Sequence, residues 1–260
     1  AHLVGLGWGA VKDIQKRYLT KRFRRPRLKG VRRIAIDEIA IRKGHRYLTV
    51  VLDLDSGKVL FVGDGKGADA LKPFWKRVKR CKHCKIRSVA IDMSPAYIRS
   101  VSDNLDAARI VFDRFHIVKL CNEMLTKLRR ALYREATELM DKNVLKGTRW
   151  LLLKNPENLD TLRDEHKRLN EALKLNQPLA TAYYLKEELR QFWTQPDMCS
   201  AGAFLFDWMR RAEGSGITLL KKFAHTLAAH KEGVLAWYDE PISTEPLRGT
   251  THKNKPTQHA

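Results

Sequence analysis

The chain has 260 residues, with 50 Lys and Arg against 29 Asp and Glu, so its formal net charge is +21. This excess is untypical of a metabolic enzyme and indicates a polyanionic partner, first nucleic acid and second an anionic membrane surface. No apolar run approaches the roughly 18 residues of a membrane span, and no signal peptide is visible, so the sequence predicts a cytoplasmic protein. Four Cys do not make a disulfide scaffold in a chain of this length.

The first segment, residues 2–14, resembles the turn and second helix of a helix-turn-helix. Val11, Ile14 and Tyr18 follow the spacing of one helix face. A helix-turn-helix also needs a first helix, for which no residues remain. Two interpretations stay open, a fragment of a longer chain or a short amphipathic helix.

Residues 16–33 contain ten basic residues and no acidic one. Pro26 and Gly30 break regular structure, so we predict a basic linker. A solvated charged surface is the alternative, but ten like charges without counter-ions repel one another, which favours contact with a phosphate backbone. The candidate DNA-binding residues are Arg22, Arg24, Arg25, Arg27, Arg32 and Arg33.

Three predicted strands each carry one Asp. Residues 34–41 form an Ile-rich run around Asp37 and Glu38, which predicts a buried strand. A carboxylate there needs a basic partner, hydrogen bonds or a cation. Asp92 and Asp113 end two further apolar runs. Each Asp could instead start a turn or cap a helix, but the three together favour a metal site. Glu38 alternates with Asp37, so it should face away from that site.

The order of elements indicates an α/β fold. We predict an antiparallel meander of three strands at 34–41, 47–54 and 59–62, then a loop at 63–67. Two strands ending at Asp92 and Asp113 alternate with predicted helices at 68–80 and 95–105. This β-β-β-α-β-α-β order indicates a ribonuclease H-like mixed sheet, with parallel strands added to the meander. Helical patterns then cover 117–141, 161–175, 179–193, 204–213 and 217–238.

Three blocks of sequence resemble a known family. The first joins Ile36-Asp37-Glu38 to residues 43–47 and 51–53, the second is residues 91–97, and the third is residues 112–119. Together they resemble the ISL3 family of bacterial insertion-sequence transposases, which are DDE enzymes. The resemblance covers most of the chain and is most specific in residues 34–120.

The resemblance implies a ribonuclease H-like core with a large all-α insertion before the last catalytic acid. The domains would be 1–33, a partial helix-turn-helix and basic linker; 34–118, the catalytic core; 119–240, the helical insertion; and 241–260, a divergent or truncated end of the core. Asp37 and Asp92 match the first two catalytic acids, and Asp113 and His116 match an accessory element. The alternative for His116 is a helix-start histidine satisfied by backbone.

The same resemblance implies two Mg²⁺ ions, with Mn²⁺ as a substitute, because hard cations take carboxylate oxygens. Asp37 and Asp92 would then lie with their carboxylates roughly 4–6 Å apart, close enough to share the metal pair. The implied partners are double-stranded DNA, as transposon ends and target, and a second copy of the chain in a homodimer on DNA. The implied location is the bacterial nucleoid.

The sequence departs from the family at the third acid. The family pattern Ile-Ser-Thr-Gly-Pro-Leu-Glu-Gly-Thr-Asn-Asn-Lys-Ile-Lys aligns with residues 242–255 and sets its Glu on Arg248. Glu245 is three residues early and precedes a Pro, so it is a doubtful substitute. Three functions stay open: a DDE transposase, a catalytically dead remnant that binds DNA, and another ribonuclease H-like nuclease such as a resolvase.

Cys81 and Cys84 make only half a zinc site, so the basic run around them is better read as a DNA contact.

Overall fold

The computed structural model describes residues 7–23, 26–42, 46–137 and 139–247. The strands are β1 Arg33–Arg42, β2 Arg46–Asp53, β3 Val59–Asp64, β4 Ser88–Ile91 and β5 Arg109–Phe112. The helices are α1 Trp8–Phe23, α2 Ala68–Arg80, α3 Pro95–Ser102, α4 Arg114–Glu135, α5 Leu139–Leu145, α6 Arg149–Leu153, α7 Glu165–Leu175, α8 Gln177–Leu189, α9 Met198–Gly214, α10 Thr218–Ala229 and α11 Lys231–Leu235. In this described part of the chain, no helix has the length and apolar character to cross a bilayer.

The strands form a five-stranded mixed sheet in the order β3-β2-β1-β4-β5. Strand β1 pairs antiparallel with β2 and parallel with β4, and β2 pairs antiparallel with β3. The predicted meander and the parallel addition of a later strand are therefore confirmed. Ile34, Ala35 and Ile36 are at most 1% exposed, because the centre of β1 is covered on both faces.

The described residues form two compact units, the first within residues 7–108 and 244–247 and the second within residues 109–243. In the first unit, the predicted helix 68–80 is confirmed as α2, with Leu71, Phe74 and Trp75 buried. The indole N–H of Trp75 donates to Ser100 Oγ of α3 at 2.8 Å. Gly63 in β3 lies so close to α2 that a Cβ there would stand 2.5 Å from the carbonyl oxygen of Ala70, so this position requires glycine.

Helix α1 extends further than expected. We predicted a linker from residue 16, but the helix continues to Phe23, so Lys16 and Arg17 lie on it. Lys and Arg are good helix formers, and Pro26 is the first strong breaker in the segment. Trp8, Ile14 and Tyr18 are 71%, 56% and 56% exposed.

The second unit is mainly helical, with Leu125, Leu179, Phe192 and Trp208 fully buried in its core. Two predicted helices are each divided in the structure, and the predicted helix 161–175 begins only at Glu165. The stretch 117–141 is α4 followed by α5, because Ala136 after Glu135 adopts an extended conformation. The stretch 217–238 is divided at His230 into α10 and α11. Helix α6 was not predicted, because five residues are too short for a recognisable helical period.

Candidate functional site

The pairing of β1 with β4 aligns the first two candidate acids. Arg33, Ile34 and Ala35 lie opposite Ser88, Val89 and Ala90 in register. Asp92 directly follows the end of β4, and the same offset, continued two residues further, would bring Asp37 opposite it. Because side chains alternate along a strand, both would share the face of Ala35 and Ala90. The separation of 4–6 Å between their carboxylates stays a prediction.

Both carboxylates are half-buried and accept local backbone hydrogen bonds. Asp37 Oδ1 accepts from the N–H of Glu38 at 2.8 Å, and Asp92 Oδ1 accepts from the N–H of Ser94 at 3.0 Å. The bond to Asp92 is that of an Asx turn before α3, which is the turn-starting role left open for this residue. These backbone N–H donors orient the two carboxylates.

Glu38 belongs to a different network, on the opposite face of β1. The hydroxyl of Tyr97 donates to Glu38 Oε1 at 2.6 Å and accepts from the N–H of Gly67 at 3.1 Å. Thr49, which lies opposite Glu38 in β2, donates to the carbonyl of Gly65 at 3.0 Å and is 3.2 Å from the Tyr97 hydroxyl. Burial, and then the bond to Glu38, raise the pKa of Tyr97, so the phenol stays a donor. The loop 63–67 is therefore bonded to the sheet and to α3.

The sequence did not predict this network. Tyr97 was visible only as the last residue of the second family-like block. Nothing in the local pattern shows that residue 97 meets residues 38, 49 and 67, because those contacts join separate elements. One signal was present, since an acid beside Asp37 that faces away from the metal site needs a partner of its own.

Asp113 begins α4 in the second unit. It is 2% exposed, and its Oδ1 accepts from the N–H of Phe115 at 3.3 Å, which is the geometry of a helix N-cap. His116 Nε2 lies 4.0 Å from Asp113 Oδ2, and the N–H of His116 donates to the carbonyl of Asp113 at 3.0 Å. This capping role is the alternative left open above. An accessory role of Asp113 and His116 in catalysis stays a prediction.

Within the described ranges, no group of three or more His, Cys, Asp or Glu side chains could hold a metal ion. Two aligned carboxylates offer the oxygen donors that Mg²⁺ prefers, so their chemistry fits such an ion as a partial ligand set. The position of the third family acid, Arg248, lies outside the described residues. Thr244 and Leu247, just before it, are at most 2% exposed, whereas Glu245 is exposed.

The structure describes only some of the candidate DNA-binding residues. Arg24, Arg25 and the side chain of Arg22 lie outside the described residues. Arg27 and Arg32 are exposed, and Arg33 donates from Nε to Asp55 Oδ1 at 2.6 Å. The segment that carries Arg27 is packed, because the neighbouring Leu28 and Val31 are buried.

Cys81 and Cys84 lie in the basic run that follows α2. Both are half-buried, and the N–H of Cys84 donates to the carbonyl of Cys81 at 3.0 Å. Burial raises the pKa of the Cys84 thiol to about 11. That this pair is no zinc site stays a prediction.

The strongly basic chain carries Asp37 within β1 and Asp92 directly after β4, the parallel neighbour of β1. The model of the ISL3 family of DDE transposases matches residues 34–259, and the chain belongs to this family. The resemblance seen in the sequence is thereby confirmed.

Relatives of the chain are insertion-sequence transposases. It is 35% identical to the transposase for insertion sequence element IS1001 of Bordetella parapertussis, over 98% of this chain and 63% of that protein. It is 29% identical to the transposase for insertion sequence element IS1557 of Mycobacterium tuberculosis, over 96% of this chain and 61% of that protein. The chain therefore spans less than two thirds of the length of these relatives.

Proposed function

We propose that this chain carries the catalytic core of an insertion-sequence transposase, with a ribonuclease H-like arrangement of its sheet. The observation that carries the proposal is the parallel register of β1 and β4, which pairs Ala35 with Ala90 and, continued by two residues, would bring Asp37 beside Asp92. The antiparallel meander followed by a parallel strand supports the fold. Membership of the transposase family supports the reaction class.

Asp37 and Asp92 would hold divalent metal, two Mg²⁺ ions or Mn²⁺ in their place, through carboxylate oxygens. When bound, such a pair activates an oxygen nucleophile and stabilises the leaving oxygen of a phosphodiester. The N–H groups of Glu38 and Ser94 orient the two carboxylates. On the other face of β1, Tyr97 holds Glu38 and so restrains the strand that carries Asp37.

The proposed reaction has two displacements at phosphorus. In the first, water attacks a phosphodiester at the transposon end, which leaves a 3′ hydroxyl and a 5′ phosphate. In the second, this 3′ hydroxyl attacks a phosphodiester of the target, forming one P–O bond as another breaks. The partners are therefore double-stranded DNA, as ends and target, and we propose that a homodimer brings two ends together. Asp113 and His116 would position DNA or water.

A second candidate function is a transposase remnant that binds DNA without cutting it. The observation that favours it is Arg248, which aligns with the third acid of the family pattern. A cation at that position would oppose metal binding by direct repulsion. The two functions share DNA binding and differ in cleavage.

Metal binding tests the proposed site without requiring activity. We expect Asp37→Asn and Asp92→Asn each to weaken Mn²⁺ binding by about tenfold or more, since loss of even an outer partner of a ligand costs 10–100-fold. The measurement is titration of the free Mn²⁺ signal by electron paramagnetic resonance. Asp103→Asn, at an exposed turn, is the matched control. Unchanged affinity in both site variants would contradict the assignment.

Duplex binding tests the basic segment. Neutralising Arg22, Arg24, Arg25 and Arg27 to Gln should lower the slope of log affinity against log salt by about 3 to 4, because each phosphate contact contributes roughly 0.9. The measurement is fluorescence anisotropy with a labelled duplex across a salt series. The control removes the same charge from helices of the second unit, at Lys167, Lys174, Lys221 and Lys222. Equal slopes for the two variants would mean that the segment is only a solvated run of charge.

A further inference from the structure

A basic cleft runs along α4 in the second unit and is bordered by α6. Its volume is about 440 Å³. Lys119, Lys127 and Arg130 of α4 and Arg149 of α6 line it, and all four are exposed. None of them takes part in an ion pair seen within the described ranges. We call this feature the α4–α6 cleft.

Arg129 precedes Arg130 on α4 and is not among the residues that line the cleft. It donates from its terminal nitrogen to the carbonyl of Leu145 at 2.9 Å. Burial, and then the charges of Arg130 and Arg149, lower the pKa of Arg129. These like charges make the neighbourhood of the cleft one that an anion would stabilise.

The cleft also has surfaces suited to a base. Phe115, which is 48% exposed, and Leu153 line it. Trp150 is not among the lining residues but adjoins the cleft through Arg149, whose guanidinium lies over its ring at 4.7 Å, and the indole is 64% exposed. Asn122 also lines the cleft, and its Oδ1 is buried without a partner in the described part of the chain. A buried acceptor of this kind can take the N–H of an unpaired base.

The length of the cleft suits a strand. From Phe115 to Arg130, α4 rises about 22 Å, which is the axial span of roughly six nucleotides at the spacing of one DNA strand. Cations that track a backbone, interleaved with aromatic rings that stack on bases, are the features by which proteins hold single-stranded nucleic acid.

We propose that the α4–α6 cleft binds an unpaired strand of DNA, with its phosphates on Lys119, Lys127, Arg130 and Arg149 and a base against the exposed rings. This inference rests on the proposed function, which is action on DNA. It adds that the helical unit holds an unpaired DNA strand.

The test is binding of a fluorescein-labelled oligothymidine by the full chain, with a chelator present so that metal plays no part. The cleft variant Lys119→Gln, Lys127→Gln, Arg130→Gln should bind about tenfold or more weakly, and its salt slope should fall by about 2, at roughly 0.7 per contact. Trp150→Ala should bind about fivefold or more weakly, because loss of stacking has at least this effect, and Trp150→Phe should restore most of the affinity.

The control variant Lys167→Gln, Lys174→Gln, Lys222→Gln removes the same charge from exposed sites elsewhere in the second unit and should bind as the unmodified chain. Circular dichroism and thermal melting establish that every variant is folded. Equal binding by the cleft and control variants would overturn the proposal. Equal losses for oligothymidine and duplex in the cleft variant would also overturn it, because the cleft would then bind backbone irrespective of pairing. Tighter binding of oligouridine would reassign the cleft to RNA.

These outcomes are separate from those of the proposed function. The cleft is tested by affinity without metal, whereas the metal site is tested by Mn²⁺ binding at Asp37 and Asp92. If the cleft variant loses affinity for oligothymidine while the unmodified chain binds no Mn²⁺, the cleft proposal stands and the catalytic assignment is wrong. If the cleft variant binds oligothymidine normally and Mn²⁺ binding depends on Asp37 and Asp92, the metal site stands and the cleft proposal is wrong.

Discussion

Giving residues 245–254 the family pattern is expected to raise metal-dependent nicking of a transposon-end duplex by about 100-fold or more over the unmodified chain, the scale of one preorganised charge in a transition state. The family-like variant carries Glu245→Gly, Arg248→Glu, Thr251→Asn, His252→Asn and Asn254→Ile. The physical reason is the sign of the charge at residue 248. An Arg repels the metal ions that a carboxylate would bind. The measurement is the rate of nicking of a labelled duplex in Mg²⁺ and in Mn²⁺.

A single substitution separates the two effects of Arg248. Arg248→Gln removes the repulsion without supplying a ligand, so its rate should lie between those of the unmodified chain and the family-like variant. If the unmodified chain nicks the duplex as fast as the family-like variant, Arg248 does not lower the activity. Glu245, which is exposed, would then be the first residue to mutate.

Removing either aligned acid is expected to abolish that restored activity. In the family-like variant, Asp37→Ala or Asp92→Ala should reduce nicking by about 1,000-fold or more, because each carboxylate would supply ligands to the metal pair that acts on both the attacking and the leaving oxygen. The measurement is the same assay, with duplex affinity determined in parallel. Affinity for DNA should change little, since the two acids make no favourable contact with phosphate.

The neighbouring acid Glu38 serves as a matched control for this loss, and Asp113 is tested beside it. Asp113→Asn keeps a helix N-cap, because Asn caps as well as Asp, so the rate stays nearly unchanged if Asp113 only caps α4 and falls if Asp113 positions DNA or water as proposed. Glu38→Gln keeps an acceptor for the hydroxyl of Tyr97 and should also retain activity. A loss at Asp113 as large as that at Asp37 would place Asp113 in the catalytic machinery. Full activity in Asp37→Ala would remove the metal assignment.

The sequence by itself determined the elements whose signals are local. The Ile-rich run around Asp37 identified β1, because its composition alone distinguishes a buried strand. The amphipathic period of residues 68–80 identified α2 with both of its bounds. Short connections predicted the meander that the strand registers confirm. The three sequence blocks identified the family, since each keeps its residues together in a short stretch.

Only the tertiary structure determined which residues distant in the chain lie next to one another. The register of β1 with β4 pairs Ala35 with Ala90, two residues before Asp37 and Asp92, and no local pattern specifies the offset between two strands more than 50 residues apart. The bond from Tyr97 to Glu38 and the α4–α6 cleft likewise depend on how elements pack. A strand or a helix is recognised from the periodicity of its own residues. Strand pairing and helix packing bring together residues that are distant in the chain, so these contacts form only when the chain folds.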